Sequence, residues 1–195
     1  AAKLDTKLYN RIKATVLGFK YWMDQPGEDS MCYWSENHQI LFAVSEYLAG
    51  QLYPDEVFTN DGKTGKEHMK LARERLLIWL EQRWLYGFSE WYSNVYYVED
   101  LTPLANVIEF AKDEEIVKKA TIVMYLLLYD VAVQSFCGTF TSTSGRAYEK
   151  NRKSGEQGNS MKAVIQHIWG FPVNAGGRAG MDLCFIYMKN YKVPE

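Results

Sequence analysis

The stretch DEEIVKKATIVMYLLLYDVAVQSF, residues 113–136, decides how the chain is read. Asp113 reads as a helix N-cap. Glu114 and Glu115 put negative charge in the first turn, where free N–H groups and the positive end of the helix dipole favour it. From Ile122 to Val133 the helix is apolar almost all round, so it is expected to be buried between neighbours. The run is broken by Asp130 and is too short to span a membrane. Other helices must therefore pack around it.

Working outward, helical spacing recurs and no convincing strand does. The first helix reads from about Thr6 to Met23, capped by Asp5 and ended by Gln25-Pro26-Gly27, with Leu8, Ile12, Val16 and Phe19 along one face. Ser35 caps the second, whose stripe is Ile40, Leu41, Val44, Tyr47 and Leu48. The third opens with Thr64-Gly65-Lys66-Glu67 at capping-box spacing. It buries Met69, Ala72, Leu76, Trp79 and Leu80, leaves His68, Lys66, Lys70, Arg73 and Glu81 on its polar side, and stops at Gly87. A short fourth helix starts at Thr102-Pro103. The fifth runs from Glu114 to about Phe136, the sixth from Ser160 to Trp169 and the seventh from Met181 to Tyr191. The expected fold is all-α: antiparallel helix hairpins in a single domain over residues 1–195.

Composition narrows the function. A formal net charge of −2 offers no basic footprint for nucleic acid. Aromatic residues make up 15% of the chain, with 14 Tyr and 6 Trp, which suits ligands that stack on rings as well as a bulky core. Cys32, Cys137 and Cys184 are odd in number and widely spaced, so they form neither a disulfide framework nor a zinc motif. No metal or cofactor is expected, and no signal peptide is visible in this sequence.

Loop parity locates the chemistry. If consecutive helices alternate in direction, the segments 33–39, 88–101 and 137–159 fall at one end of the array. They are also the segments richest in polar, aromatic and glycine residues. The first holds Glu36-Asn37-His38 at a helix mouth, where Asn37 would orient a carboxylate or carbonyl and His38 would act as a base. Glu36 is a further polar contact for a ligand. Solvated first-turn polar residues are the alternative. The second holds Glu90-Trp91-Tyr92 and Tyr96-Tyr97. Trp91 and Tyr92 would stack on sugar faces, and a tyrosine becomes a credible acid or base only beside a cation. The third supplies one in Gly145-Arg146-Ala147-Tyr148, with Arg152 and Lys153 read as solvated charge. Arg178, after Gly176-Gly177, is a weaker cation.

Helix pairs, an Asn-His at a helix mouth, tyrosines in an adjoining loop and a Gly-Arg-x-Tyr segment together resemble the α/α-toroid polysaccharide lyases. These include the alginate, hyaluronate and chondroitin lyases and heparinase-like enzymes. The resemblance implies an incomplete six-hairpin toroid, part of a longer bacterial chain, secreted or periplasmic. It implies an acidic polysaccharide or oligosaccharide as partner and cleavage by β-elimination. Asn37 would neutralise the uronate carboxylate with Arg146. His38 or a tyrosine would take the C5 proton, and Tyr96, Tyr97 or Tyr148 would protonate the leaving oxygen. Two other readings stay open. One is a glycoside hydrolase drawing two carboxylates from Glu36, Glu90, Glu99 and Asp100. The other is a non-catalytic helical binding or scaffold domain.

Overall fold

The computed structural model describes residues 4–153, 158–170 and 187–193. The described chain is mostly helical. It contains α1 (Thr6–Gly18), α2 (Glu36–Leu52), α3 (Gly65–Tyr86), α4 (Tyr97–Phe110), α5 (Glu114–Val133), a hairpin of β1 (Ser135–Phe136) and β2 (Thr139–Phe140), then α6 (Glu149–Lys153) and α7 (Lys162–Trp169).

The caps expected from sequence mostly form. The Asp5 side chain accepts from Leu8 N–H, and Asp113 accepts from Glu115 and Ile116. Thr64 and Glu67 close a reciprocal capping box, and Gly87 ends α3 with φ 73°. Ser35 differs. It occupies the N-cap position of α2, but its side chain makes no capping hydrogen bond.

Four helices build the scaffold. α2 packs on α3 and on α4, and α5 packs on α4 and on α3. Direction follows from side-chain ties. Gln51, near the end of α2, bonds the backbone of Phe110 and Lys112 at the end of α4, so α2 and α4 run parallel. Arg73 in α3 reaches Asp113 and Glu115 at the start of α5, while Trp84 and Leu80 line a groove with Ile122 and Val123, so α3 and α5 also run parallel. The result is two antiparallel hairpins stacked side by side, with α2 and α4 in one layer and α3 and α5 in the other. An up-and-down bundle differs, because its parallel pairs lie across the diagonal.

The core between the layers includes Ile40, Leu76, Leu101, Leu104, Ile116, Met124 and Leu127, each essentially inaccessible. At the far end, α2 crosses α3 through two glycines. A Cβ on Gly65 would lie 2.1 Å from Tyr53 O, and one on Gly50 would lie 2.4 Å from Gly65 O.

Several expectations are corrected. α1 ends at Gly18, because the chain turns extended at Phe19. Leu17 is the buried residue of α1, packing with Tyr21, Tyr53 and Phe58; of the expected face, Val16 and Phe19 pack part-buried against this cluster, while Leu8 and Ile12 are exposed. The fourth helix begins at Tyr97, and Pro103 lies within it at the cost of one i→i−4 bond. Its start is set by Ser93, whose hydroxyl accepts from the N–H groups of Val95 and Tyr96. α5 is buried on one side only, since Tyr125, Tyr129 and Val133 face solvent. The β-hairpin was not expected from sequence. Cys137 and Gly138, at φ 50° and 74°, make the tight turn. His68 is buried rather than exposed: the Gly50–Gly65 approach brings it between Glu46 and Asp61, at 2.7 and 3.1 Å. Most of the expected helix Met181–Tyr191, together with Arg178, lies outside the described residues. Among the described residues no helix is long and apolar enough to cross a membrane.

Candidate functional site

The segments 33–39, 88–101 and 137–159 do meet at one end of the helix layers. Two backbone clamps hold the second to the third. Gly145 N–H donates to Trp91 O at 2.8 Å, and the Ser93 hydroxyl donates to Arg146 O at 2.7 Å. Ser93 is fully buried and also starts α4, so one side chain couples the helix to the arginine. Gly145 lies flat against the Trp91 indole, where a Cβ would come within 2.7 Å of the ring. The sequence carried Ser93 inside an aromatic segment but offered no signal for its role.

An unbroken hydrogen-bonded relay crosses these segments. His38 Nδ1 meets Ser35 Oγ at 2.5 Å, and Ser35 Oγ donates to Asn37 Oδ1 at 2.8 Å. Asn37 Nδ2 donates to Glu90 Oε2 at 3.4 Å, and Arg146 Nη1 donates to Glu90 Oε1 at 2.7 Å. Arg146 Nη2 donates to the Tyr148 hydroxyl at 3.4 Å, and Tyr148 and Tyr96 share a short O–H···O bond. The Arg146 guanidinium also lies over the Tyr96 ring, 4.5 Å from its centroid. The Ser35 hydroxyl does not cap its helix because it is used here.

Electrostatics distinguish the two phenols. Hydrogen bonding from Tyr96, then from Arg146, lowers the pKa of exposed Tyr148 below its ordinary value. Desolvation, then the bond to Tyr148, raises that of Tyr96. Tyr148 is therefore the member of the pair that ionises first. Cys32, half-buried nearby, is also shifted. Desolvation alone would raise its thiol pKa, but hydrogen bonds involving Ser35 and Trp34 and the charge of Arg146 outweigh it and lower the pKa.

Two expected site residues sit elsewhere. Tyr97 is 1% exposed and its hydroxyl accepts from Tyr92 N–H at 2.7 Å, so it is a core residue whose pKa burial drives upward. Glu36 is 4% exposed. Its Oε2 accepts from Ser89 N–H and Oγ at 2.6 and 2.7 Å and pairs with Arg83 at 2.7 Å, so it clamps α2 to the end of α3. Adjacent helical residues point about 100° apart, so Glu36 turns to the end of α3 while Asn37 turns to Glu90; Asn37 is itself 2% exposed, and instead of meeting a ligand carboxylate it holds that of Glu90. Arg146, expected to meet a ligand carboxylate, instead holds that of Glu90. Trp91 is exposed and Tyr92 half-buried, their rings edge-on at 5.6 Å.

Beneath the relay lies Asp100, fully buried with both carboxyl oxygens unpaired in the described structure. Burial first, then the charges of Glu36 and Glu90, raise its pKa well above the usual carboxylate range. Among the described residues no group of three His, Cys, Asp or Glu side chains is arranged to hold a metal ion.

Comparison with known proteins adds no further constraint. The chain matches no protein-family model, no curated protein and no solved structure.

Proposed function

We propose that this chain is a carbohydrate-active helical domain that binds an acidic polysaccharide and cleaves it by β-elimination, with Tyr148 carrying the proton. The single observation behind this reading is the Tyr148 hydroxyl, exposed at the end where the three polar segments meet and hydrogen-bonded by an arginine and a second tyrosine. A phenol is a poor base at neutral pH unless its anion is stabilised, and a guanidinium beside it does that.

In the proposed step Tyr148 Oη takes the proton from C5 of a uronate unit. The electron pair forms the C4–C5 double bond, the C4–O bond breaks, and the departing oxygen is protonated by Tyr96 or by the newly protonated Tyr148. Asn37 and Arg146 act by fixing Glu90, and Arg146 thereby stays against Tyr148. His38, held through Ser35, is the alternative base. The stacked hairpins, with parallel helices within each layer, support a partial α/α toroid as the scaffold, and a secreted or periplasmic setting follows from a polysaccharide substrate.

The hydrolase alternative has weaker support. Glu36 and Asp100 are buried, and Glu90 is neutralised by Arg146. The test is ultraviolet absorbance of unsaturated product on alginate, hyaluronan, chondroitin and heparan substrates. Product that disappears in Tyr148→Phe supports the reading. No product from any uronate polymer overturns it.

A further inference from the structure

A cleft of about 720 Å³ opens between the β1–β2 hairpin and the segment 141–152. That volume falls within the range of small-molecule sites. Its wall includes Ser144 and Ala147, which bracket Arg146 in sequence, so the cleft and the relay share one stretch of backbone. Its chemistry is that of a sugar site. Thr141 and Ser142 bring hydroxyls, and Phe136 contributes a ring that is 73% exposed. Arg152 adds a guanidinium.

Arg152 separates this cleft from the relay. Arg83 and Arg146, the other described arginines at this end, are each tied to a carboxylate. Among the described residues Arg152 makes no ion pair, and its side chain is exposed. It also follows Tyr148 by one helical turn, its N–H donating to Tyr148 O at 3.1 Å. A planar guanidinium without a partner is suited to bidentate binding of a carboxylate. An exposed aromatic ring is suited to the apolar face of a pyranose.

We propose that this cleft is an anionic-sugar subsite in which Arg152 binds the carboxylate of a uronate unit and Phe136 stacks on its ring. The proposal rests on the carbohydrate reading above and adds the group that recognises the acid. Arg146 then serves Tyr148, and Arg152 serves the substrate.

Calorimetric titration with tetrasaccharides of mannuronate and of hyaluronan, and with their carboxyl-reduced counterparts, tests it on the full chain. The expected result is binding of at least one acidic tetrasaccharide, weakened about tenfold or more in Arg152→Gln, as loss of a charged hydrogen bond predicts. Binding with this pattern but without unsaturated product upholds the subsite and overturns the lyase reading alone. Unchanged affinity in Arg152→Gln, equal binding of the carboxyl-reduced sugar, or no binding of either tetrasaccharide overturns the subsite. Arg152 is exposed and makes no ion pair among the described residues, so Arg152→Gln should keep the fold, with thermal melting as the control.

Discussion

Arg146 places Nη2 3.4 Å from the hydroxyl of Tyr148, a residue only two positions further along the chain. The guanidinium is also held from outside its own segment. It is aimed by Glu90, 56 residues away, and by the Tyr96 ring beneath it.

The first prediction concerns ionisation. With its pKa lowered by Tyr96 and Arg146, Tyr148 should become phenolate below the pH of about 10 typical of a free phenol. An alkaline absorbance titration should show one early tyrosine step, absent in Tyr148→Phe and moved to higher pH in Arg146→Met. An unchanged first step in Tyr148→Phe would assign the early phenol elsewhere.

Glu36 offers a contrast between a binding residue and a clamp. Its carboxylate joins Arg83 and Ser89 in a buried site. Glu36→Ala leaves the Arg83 charge without its partner, which should cost about 3–5 kcal/mol in urea unfolding. If Glu36 instead met a ligand, the variant would lose affinity with its stability intact.

Asp100 should behave in the opposite sense. Its folded-state pKa is raised, so the folded state keeps a proton that the unfolded chain releases. Its contribution to stability therefore falls as pH rises above the unfolded carboxyl pKa of about 4, and continues to fall up to the raised folded value. Asp100→Asn should stabilise at neutral pH by about 1–3 kcal/mol. The gain should shrink towards pH 4. Melting curves across pH check both sign and trend, and a gain that is flat with pH would contradict the assignment.

The glycines separate fold from site. Gly65→Ala would drive a Cβ into Tyr53 O, a backbone atom that cannot move aside, and should destabilise by about 3 kcal/mol or more. In Gly145→Ala the nearest atoms to the new Cβ belong to the exposed Trp91 side chain, which can swing away. Its melting temperature should hardly change, while Trp91 fluorescence shifts and any Tyr148-dependent activity falls as Arg146 is displaced.

Much of this architecture is legible in the residues themselves. Asp5, Thr64, Glu67, Gly87 and Asp113 mark helix ends because capping is a local matter of one side chain and the nearest free backbone groups. Pro103 misleads because a proline is acceptable in the first turn and is only costly further in, and the buried Ser93 starts the helix earlier. Arg152 reads as solvated charge, since nothing in its own segment shows that a cleft lies beside it.

The sequence by itself determined the helical class, most of the helix caps and the alternation that sends three polar segments to one end. Only the tertiary structure decided which side chains there meet. Tyr96 joins the relay while Tyr97 enters the core, and Asn37 joins it while Glu36 becomes a clamp. The reason is rotational. Spacing along a helix sets the angle between neighbours, but packing against other helices sets which way the whole helix is turned about its axis.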